Sequence, residues 1–486
     1  MVAALCIAAM PLLWCGAVRA QVTGPLSPVP APSSVRPASD APAMSIGLAE
    51  AVAIGMRDNR SIRAAFIDRG AQRYALAAAE RRFSPRLDLL ADVYRSDSGD
   101  AAITEASVSG TGSWLLPTGA QIGFVWDRRE RLGGSDSTET ATLVVTQPLL
   151  RGAGVAVNRA PVRIARLGDA INRLALKNSI SETISAIIFA YRRLQQAQEQ
   201  VRLAEIALRR TGMLIDTNRA MIEAGRMAPA DIVQSEANYA NQEVILFQTR
   251  QDLVSAQYAL LELLAIDPGI NIVAADPIDA EHVPIDIATA VEFARDNRMD
   301  LLSQQRTVES AREALRIARN NRLWDLSVVA AATRNGGRDA YLGVLPTRTD
   351  GRVGLQLAIP LGDPGPELVQ VQADAALRTA ELQLDTLDQR VEAQVYEGAQ
   401  RIETAWRQLQ AARRFRELAS QAVENERAKL AAGRSSNFQL LSLQDDQRIA
   451  EIQELTATIA YLNALTSFDL QIGATLASWK IDWSDK

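Results

Sequence analysis

Cysteine is nearly absent from this 486-residue chain: there are two, Cys6 and Cys15, both within the first twenty residues. Residues 16–486 hold none, which excludes disulfides and cysteine-ligated metal from everything beyond that leader. Histidine is rarer still, and the single His282 reads as a solvated residue in a connecting segment. With so few nucleophiles and metal ligands, and no glycine-rich phosphate loop, the chain lacks most catalytic vocabulary. It is therefore read as no enzyme, and no catalytic, cofactor-binding or metal residue is assigned. The net charge is −5 and no Lys/Arg run exceeds two residues, so nothing points to nucleic acid. Beyond the leader no segment reaches the ~18 apolar residues of a spanning helix. If this protein is embedded in a membrane, it must use strands.

The leader itself is apolar from Met1 to Ala20, and Val18-Arg19-Ala20 before Gln21 fits the small-x-small site of a secretory signal peptide (1–20). It lacks a Lys or Arg ahead of its apolar run. Lipid attachment at Cys15 is disfavoured by the bulk of Trp14. Residues 21–43 carry six prolines in 23 positions and read as an unstructured lead-in.

The remainder of the chain is one layout, used twice. Ala51-Val52 leads to Arg57-Asp58-Asn59-Arg60, and Ala290-Val291 leads to Arg295-Asp296-Asn297-Arg298. Each is succeeded by a helical stretch and two β-like segments, the second ending in Pro148 or Pro360, and then a long helical region broken by Gly225-Arg226 or Gly433-Arg434. The repeats are bounded at 44–267 and 284–479, with a linker at 268–283 and a tail at 480–486. Ser45 is expected to cap a helix running to about Arg57, and Asp58-Asn59 to break it before a second helix to about Phe83.

Strands are expected at 86–95, 139–147, 325–334 and 352–360. Leu87, Leu89, Ala91 and Val93 alternate with Asp88, Leu90, Asp92 and Tyr94; Ala141, Leu143 and Val145 alternate with Thr140, Thr142 and Thr146, Val144 being the exception; Val353, Leu355, Leu357 and Ile359 alternate with Arg352, Gly354, Gln356 and Ala358. An extra hairpin at 107–127, turning at Leu116-Pro117-Thr118-Gly119, has no counterpart in the second half. Four strands, or six with that hairpin, are too few to close a barrel alone, so a membrane sheet would have to be shared among subunits.

The helical regions (155–267 and 367–470) are proline-free from Val162 to Ala228 and after Pro366. Ile180, Ile187, Leu194, Val201, Leu208, Ile215 and Ile222 recur every seven residues, as do Ile232, Tyr239, Leu246, Leu253 and Leu260. A strict heptad means coiled-coil packing. Weaker stripes run through Val395, Ile402 and Leu409, then Ile452 and Ile459.

Together these pieces resemble the TolC-like outer-membrane efflux proteins over about 44–479. The resemblance is carried by Leu48-Ala49-Glu50-Ala51-Val52, Pro85-Arg86-Leu87-Asp88-Leu89, Gln147-Pro148-Leu149-Leu150-Arg151-Gly152-Ala153-Gly154, Ala224-Gly225-Arg226 through Asp231, and Ala432-Gly433-Arg434. It implies an α+β membrane protein, internally duplicated, with two strand pairs and long helical hairpins. Three copies would form a twelve-stranded barrel in the outer membrane of a Gram-negative cell, continued by an α-helical tunnel across the periplasm. The implied partners are outer-membrane lipid, a periplasmic adaptor and an inner-membrane pump of RND, MFS or ABC type.

The hairpin tips (Gly225, Arg226, Met227 and Gly433, Arg434, Ser435) would dock the adaptor. Asp231 matches a carboxylate near the tunnel aperture, whereas Gln439 and Ser442 stand where family members can carry aspartates. Asp445 and Asp446 lie further along, either as a displaced carboxylate ring or as a solvated helix face. The rival readings are a soluble periplasmic coiled-coil scaffold or adaptor, and a type I secretion duct for polypeptides instead of small molecules.

Overall fold

A computed structural model of the chain describes residues 44–97, 102–225, 228–432 and 434–481. The expected signal peptide, the Pro-rich lead-in and all of the tail except Lys480 and Ile481 lie outside the described residues, as do Arg226, Met227 and Gly433.

The duplication is visible in element lengths. The first half runs β1 (Met44–Ile46), α1 (Leu48–Asp58), α2 (Arg60–Glu80), β2 (Arg86–Asp97), β3 (Ala102–Leu115), β4 (Gln121–Leu132), β5 (Ser137–Pro148), α3 (Val155–Asn158), α4 (Ala160–Glu223) and α5 (Ile232–Leu264). The second runs β6 (Ile272–Ala274), α6 (Ile287–Asn297), α7 (Met299–Asn321), β7 (Asp325–Asp339), β8 (Gly343–Ala358), α8 (Gly365–Ala431), α9 (Asn437–Ile472) and α10 (Thr475–Ser478). Helices α4 and α8 have 64 and 67 residues, and the returning α5 and α9 have 33 and 36. At 1.5 Å per residue the outgoing helices are about 100 Å long and the returning ones about half that. Helices α2 and α7, of 21 and 23 residues, pack beside α4 and α8 where the returning helices do not reach.

The heptad stripe explains the packing. Ile180, Ile184, Ile187, Ile188, Tyr191 and Leu194 of α4 meet Leu260, Leu261 and Leu264 of α5, with Val52 of α1, Ile46 of β1 and Ile272 of β6. In the second half Val391, Val395, Ile402 and Leu409 of α8 pack on Tyr461 and Phe468 of α9 and on Val291 of α6. Each such fully buried side chain contributes roughly 1.5–3 kcal/mol by leaving water.

The structure corrects or refines three expectations. Ser45 caps no helix: it lies in β1, which pairs parallel with β6 in the segment expected to be a plain linker. Helix α1 instead starts after Gly47, and the Asp276 carboxylate accepts a bond from the Leu48 N–H at 2.6 Å. Tyr191 Oη bonds the Ile46 carbonyl at 3.0 Å and Asp276 Oδ2 at 2.9 Å, clasping this junction, and burial pushes its phenol up to about 12. Second, His282 is exposed in the connecting segment as expected, but its ring also lies tilted by 43° against Trp406, ring centroids 5.0 Å apart. Third, the hairpin expected at 107–127 is longer, and it sits inside the main sheet.

That sheet has six strands in the order β2-β3-β4-β5-β7-β8, antiparallel at every step. A protomer thus offers six staves, the larger of the two counts that the sequence left open. The β3–β4 turn is fixed at the base of the sheet, where Thr118 O accepts from Gly154 N–H at 3.0 Å. Gly119 has φ +94°, and a Cβ there would lie 2.1 Å from the Gly152 carbonyl oxygen. Gly119→Ala combines a left-handed backbone with that clash, and is expected to cost about 2 kcal/mol or more. A thermal melt of the detergent-solubilised variant checks it; an unchanged midpoint contradicts this turn geometry.

Candidate functional site

Residues directly opposite one another on paired strands share a face of the sheet. Tracing the register gives rows such as Leu87, Gly112, Phe124, Leu143, Ala332 and Gly351, and Trp114, Ile122, Val145, Ala330 and Val353. These belong to an apolar face that also carries Leu89, Ala91 and Val93 on β2, Trp126 on β4, Val328 on β7, and Leu355 and Leu357 on β8. The opposite face carries Asp88 and Asp92, Ser107 and Ser109, Asp127, Thr140 and Thr142, Thr333, and Arg352 and Gln356. Large apolar side chains on the first face stand in the open: Leu89 is 75% exposed, Val353 80% and Leu355 73%. A soluble sheet would bury such a face. Glycine serves it too, since a Cβ at Gly110 would come within 3.3 Å of Leu89 Cδ2.

At the other end of the long helices are the hairpin tips. Gly225 succeeds α4 with φ +69° and donates its N–H to Ile222 O at 2.9 Å, a left-handed stop that glycine takes without strain. The chain re-enters α5 through a 3-10 turn at Pro229–Asp231. Near this tip Asn218 Nδ2 donates to Ser235 Oγ at 2.8 Å, both side chains buried. At the second tip Arg434 is exposed, and its N–H bonds Lys429 O at 2.9 Å. Ser435 Oγ donates to Glu426 Oε1 at 2.5 Å, and Lys429 Nζ to Glu426 Oε2 at 3.0 Å.

This clasp escaped sequence reading because its partners are nine residues apart across a turn. The Ser435 hydroxyl first, and then Lys429, hold the Glu426 carboxyl below the ordinary glutamate range. A depressed folded pKa means the clasp contributes fully above the ordinary glutamate range and is lost as pH falls through the folded value. A nitroxide label at Arg434 should therefore sharpen on acidification through that window, and do so at neutral pH in Glu426→Gln.

Of the aperture candidates, Gln439, Ser442, Asp445 and Asp446 lie on exposed positions of α9. The Gln439 N–H is capped by Ser436 Oγ at 3.3 Å. Asp445 Oδ1 accepts from Arg448 Nε at 3.0 Å and Nη2 at 2.8 Å, so this carboxylate is already neutralised locally. The side chain of Asp231 lies outside the described residues, and Asp445 lines a small pocket with Thr211 of α4 and Asn238 and Gln242 of α5. Midway along the helices, the half-buried Arg192 of α4 donates to Leu462 O at 2.5 Å and Thr466 Oγ1 at 2.7 Å on α9. Burial lowers its pKa to about 10. This bridge joins the two repeats.

The contacts set a lateral order of helices, α5-α4-α9-α8 toward the tips and α2-α4-α7-α8 toward the sheet. The outermost elements leave apolar side chains uncovered: Phe66, Ile67 and Tyr74 on α2, Phe247 on α5, and Leu382 and Leu418 on α8. The sheet ends likewise: among the described residues β2 and β8 are each unpaired along one edge. Among the described residues no helix is long and apolar enough to cross a membrane, and no group of His, Cys, Asp and Glu is arranged to hold a metal ion.

No family model matches the sequence, and no curated protein matches it either. Solved structures do match. The outer membrane channel CmeC of Campylobacter jejuni aligns at 13% identity with a TM-score of 0.68, over 88% of this chain and 86% of that one. The open state of the Neisseria gonorrhoeae MtrE outer membrane channel gives 15% identity and 0.69, over 88% and 89%. The outer membrane protein VceC of Vibrio cholerae gives 14% and 0.66, over 88% and 96%. This chain therefore has the fold of the TolC-like outer-membrane channels.

Proposed function

We propose that the protein is the outer-membrane channel component of a tripartite export system. Three copies join edge to edge, β8 and α8 of one against β2, α2 and α5 of the next. The pooled sheet spans the outer membrane with its apolar face in lipid and its polar face on water. The long helices continue the duct through the periplasm. Conduction is passive, and an inner-membrane pump of RND, MFS or ABC type supplies the driving force through a periplasmic adaptor docked at the tips around Gly225 and Arg434.

The observation that carries this reading is the coincidence of three incomplete edges on each flank of one protomer. Open strands and uncovered apolar helices on both flanks are relieved by one ring-closing contact, and the exposed apolar sheet face by the lipid around the ring. No cation-binding carboxylate ring is assigned at Asp445, because its Arg448 partner makes each pair nearly neutral.

Two experiments test it. Purified protein in planar bilayers should conduct ions, and deletion of its gene should sensitise cells to exported drugs or abolish secretion of a polypeptide. A protein that never inserts into bilayers, and whose loss leaves both phenotypes untouched, defeats the proposal.

A further inference from the structure

The inserted hairpin β3–β4 has no equivalent in the second repeat, and edge-to-edge assembly of three copies does not by itself require it. We propose that it is a full pair of membrane-spanning staves facing lipid acyl chains, so that the trimeric wall contains eighteen strands and not twelve. This rests on the shared-barrel reading.

Three features of the structure point the same way. First, β3 and β4 sit between β2 and β5 in continuous register over 12 and 10 residue pairs, not beside or beneath the sheet. Removing them from the wall would leave β2 and β5 unpaired with each other. Second, their faces match their neighbours: Val108, Trp114, Ile122, Phe124 and Trp126 continue the apolar face, with Ser109 and Asp127 on the polar one.

The apolar band is also oblique. It covers Leu87 to Val93 on β2, Ile122 to Trp126 on β4 and Val353 to Leu357 on β8. It drifts about seven residues over five strand steps, a strand tilt a little over 40° at about 3.3 Å per residue and 4.8 Å per step. Tilts of 35–45° are those of transmembrane barrels, and the drift is smooth only if the hairpin is counted.

Third, the widths agree. Toward the sheet a protomer presents four helices side by side, α2-α4-α7-α8, about 38 Å across at 9–10 Å spacing. Six strands tilted by about 40° also span about 38 Å, whereas four would span about 25 Å. Six staves let the barrel rise from the helices without a constriction.

The test uses single cysteines, for which residues 16–486 provide a thiol-free background. In proteoliposomes, a charged maleimide should label Ser109→Cys and Val125→Cys, facing the water-filled lumen, at least about tenfold faster than Val108→Cys and Phe124→Cys. The control pair Thr142→Cys and Leu143→Cys on β5 should show the same contrast. If β5 alternates and both faces of β3–β4 label quickly, the hairpin lies outside the lipid and this inference is overturned. If β5 itself fails to alternate, the shared-barrel reading falls with it. A projection image of the unmodified protein in nanodiscs gives an independent readout: a backbone ring about 36 Å across is expected, and one of about 24 Å contradicts eighteen strands.

Discussion

An arginine placed at Leu143 should cost about 3 kcal/mol of folding stability, roughly a hundredfold in the folded population, while an arginine at the adjacent Thr142 should cost under about 1 kcal/mol. The two positions are neighbours on β5 with opposite directions. Leu143 pairs with Phe124 and Ala332 in the middle of the apolar face, and Thr142 Oγ1 meets Thr333 Oγ1 at 3.4 Å on the polar face. In a sheet surrounded by water on both sides, both substitutions would be nearly silent, because both side chains are accessible. The asymmetry arises only when one side is hydrocarbon. Denaturant titration of refolding into lipid vesicles reads it directly, and equal stabilities for Leu143→Arg and Thr142→Arg would remove the membrane from the account.

The second large effect lies in the helical body. Arg69 of α2 holds Asp169 of α4 through Nη1 to Oδ1 at 2.5 Å and Nη2 to Oδ2 at 3.1 Å, with side chains 5% and 11% exposed. The Arg69 guanidinium keeps the Asp169 carboxyl below the usual aspartate range. Asp169→Ala leaves a buried cation with its main counter-charge gone, and is expected to cost about 3–5 kcal/mol. The double variant Arg69→Met with Asp169→Leu should recover most of that loss, since it removes both charges together. Because the folded aspartate pKa is depressed, the pair's contribution is complete above the ordinary aspartate range and disappears as pH falls through the folded value. Thermal melts of the three proteins at neutral pH and at pH 3 decide it. A single variant as stable as the parent, or a double variant no better than the single, contradicts this assignment.

How far the sequence foretold this varies with the length scale of each signal. Helices α4 and α5 were legible because Ile180, Ile187 and Leu194, and later Leu246 and Leu260, repeat a local pattern that tertiary packing then uses unchanged. The apolar side of β2, β5 and β8 was legible for the same reason at period two. The turn at Leu116–Gly119 stood out through its Pro and Gly, and Asn59 was visible as a break, where it caps α2 by accepting from the Ser61 and Ile62 N–H groups.

Strand β3 was obscured. Gly110 and Gly112 occupy apolar-face positions, so hydrophobic alternation is lost where Leu89, Phe124 and Trp126 need the room. With β3 weak, the hairpin looked like an appendage and the strand count stayed open between four and six. The three-residue β1 was invisible because its partner β6 is more than two hundred residues away. Arg69–Asp169, Arg192 with α9, and Ser435–Glu426 escaped for a related reason: each pairs ordinary polar residues whose meeting is decided by how elements pack, which no local pattern encodes.

All of this depends on neighbouring copies completing one another's open flanks. The most direct check is the number of chains in the native particle, read by mass spectrometry of the protein released from detergent micelles, alongside its circular dichroism. The account predicts three chains in a closed ring, retaining strand content and dissociating only on heating. A stable single chain that keeps its fold without detergent would contradict it.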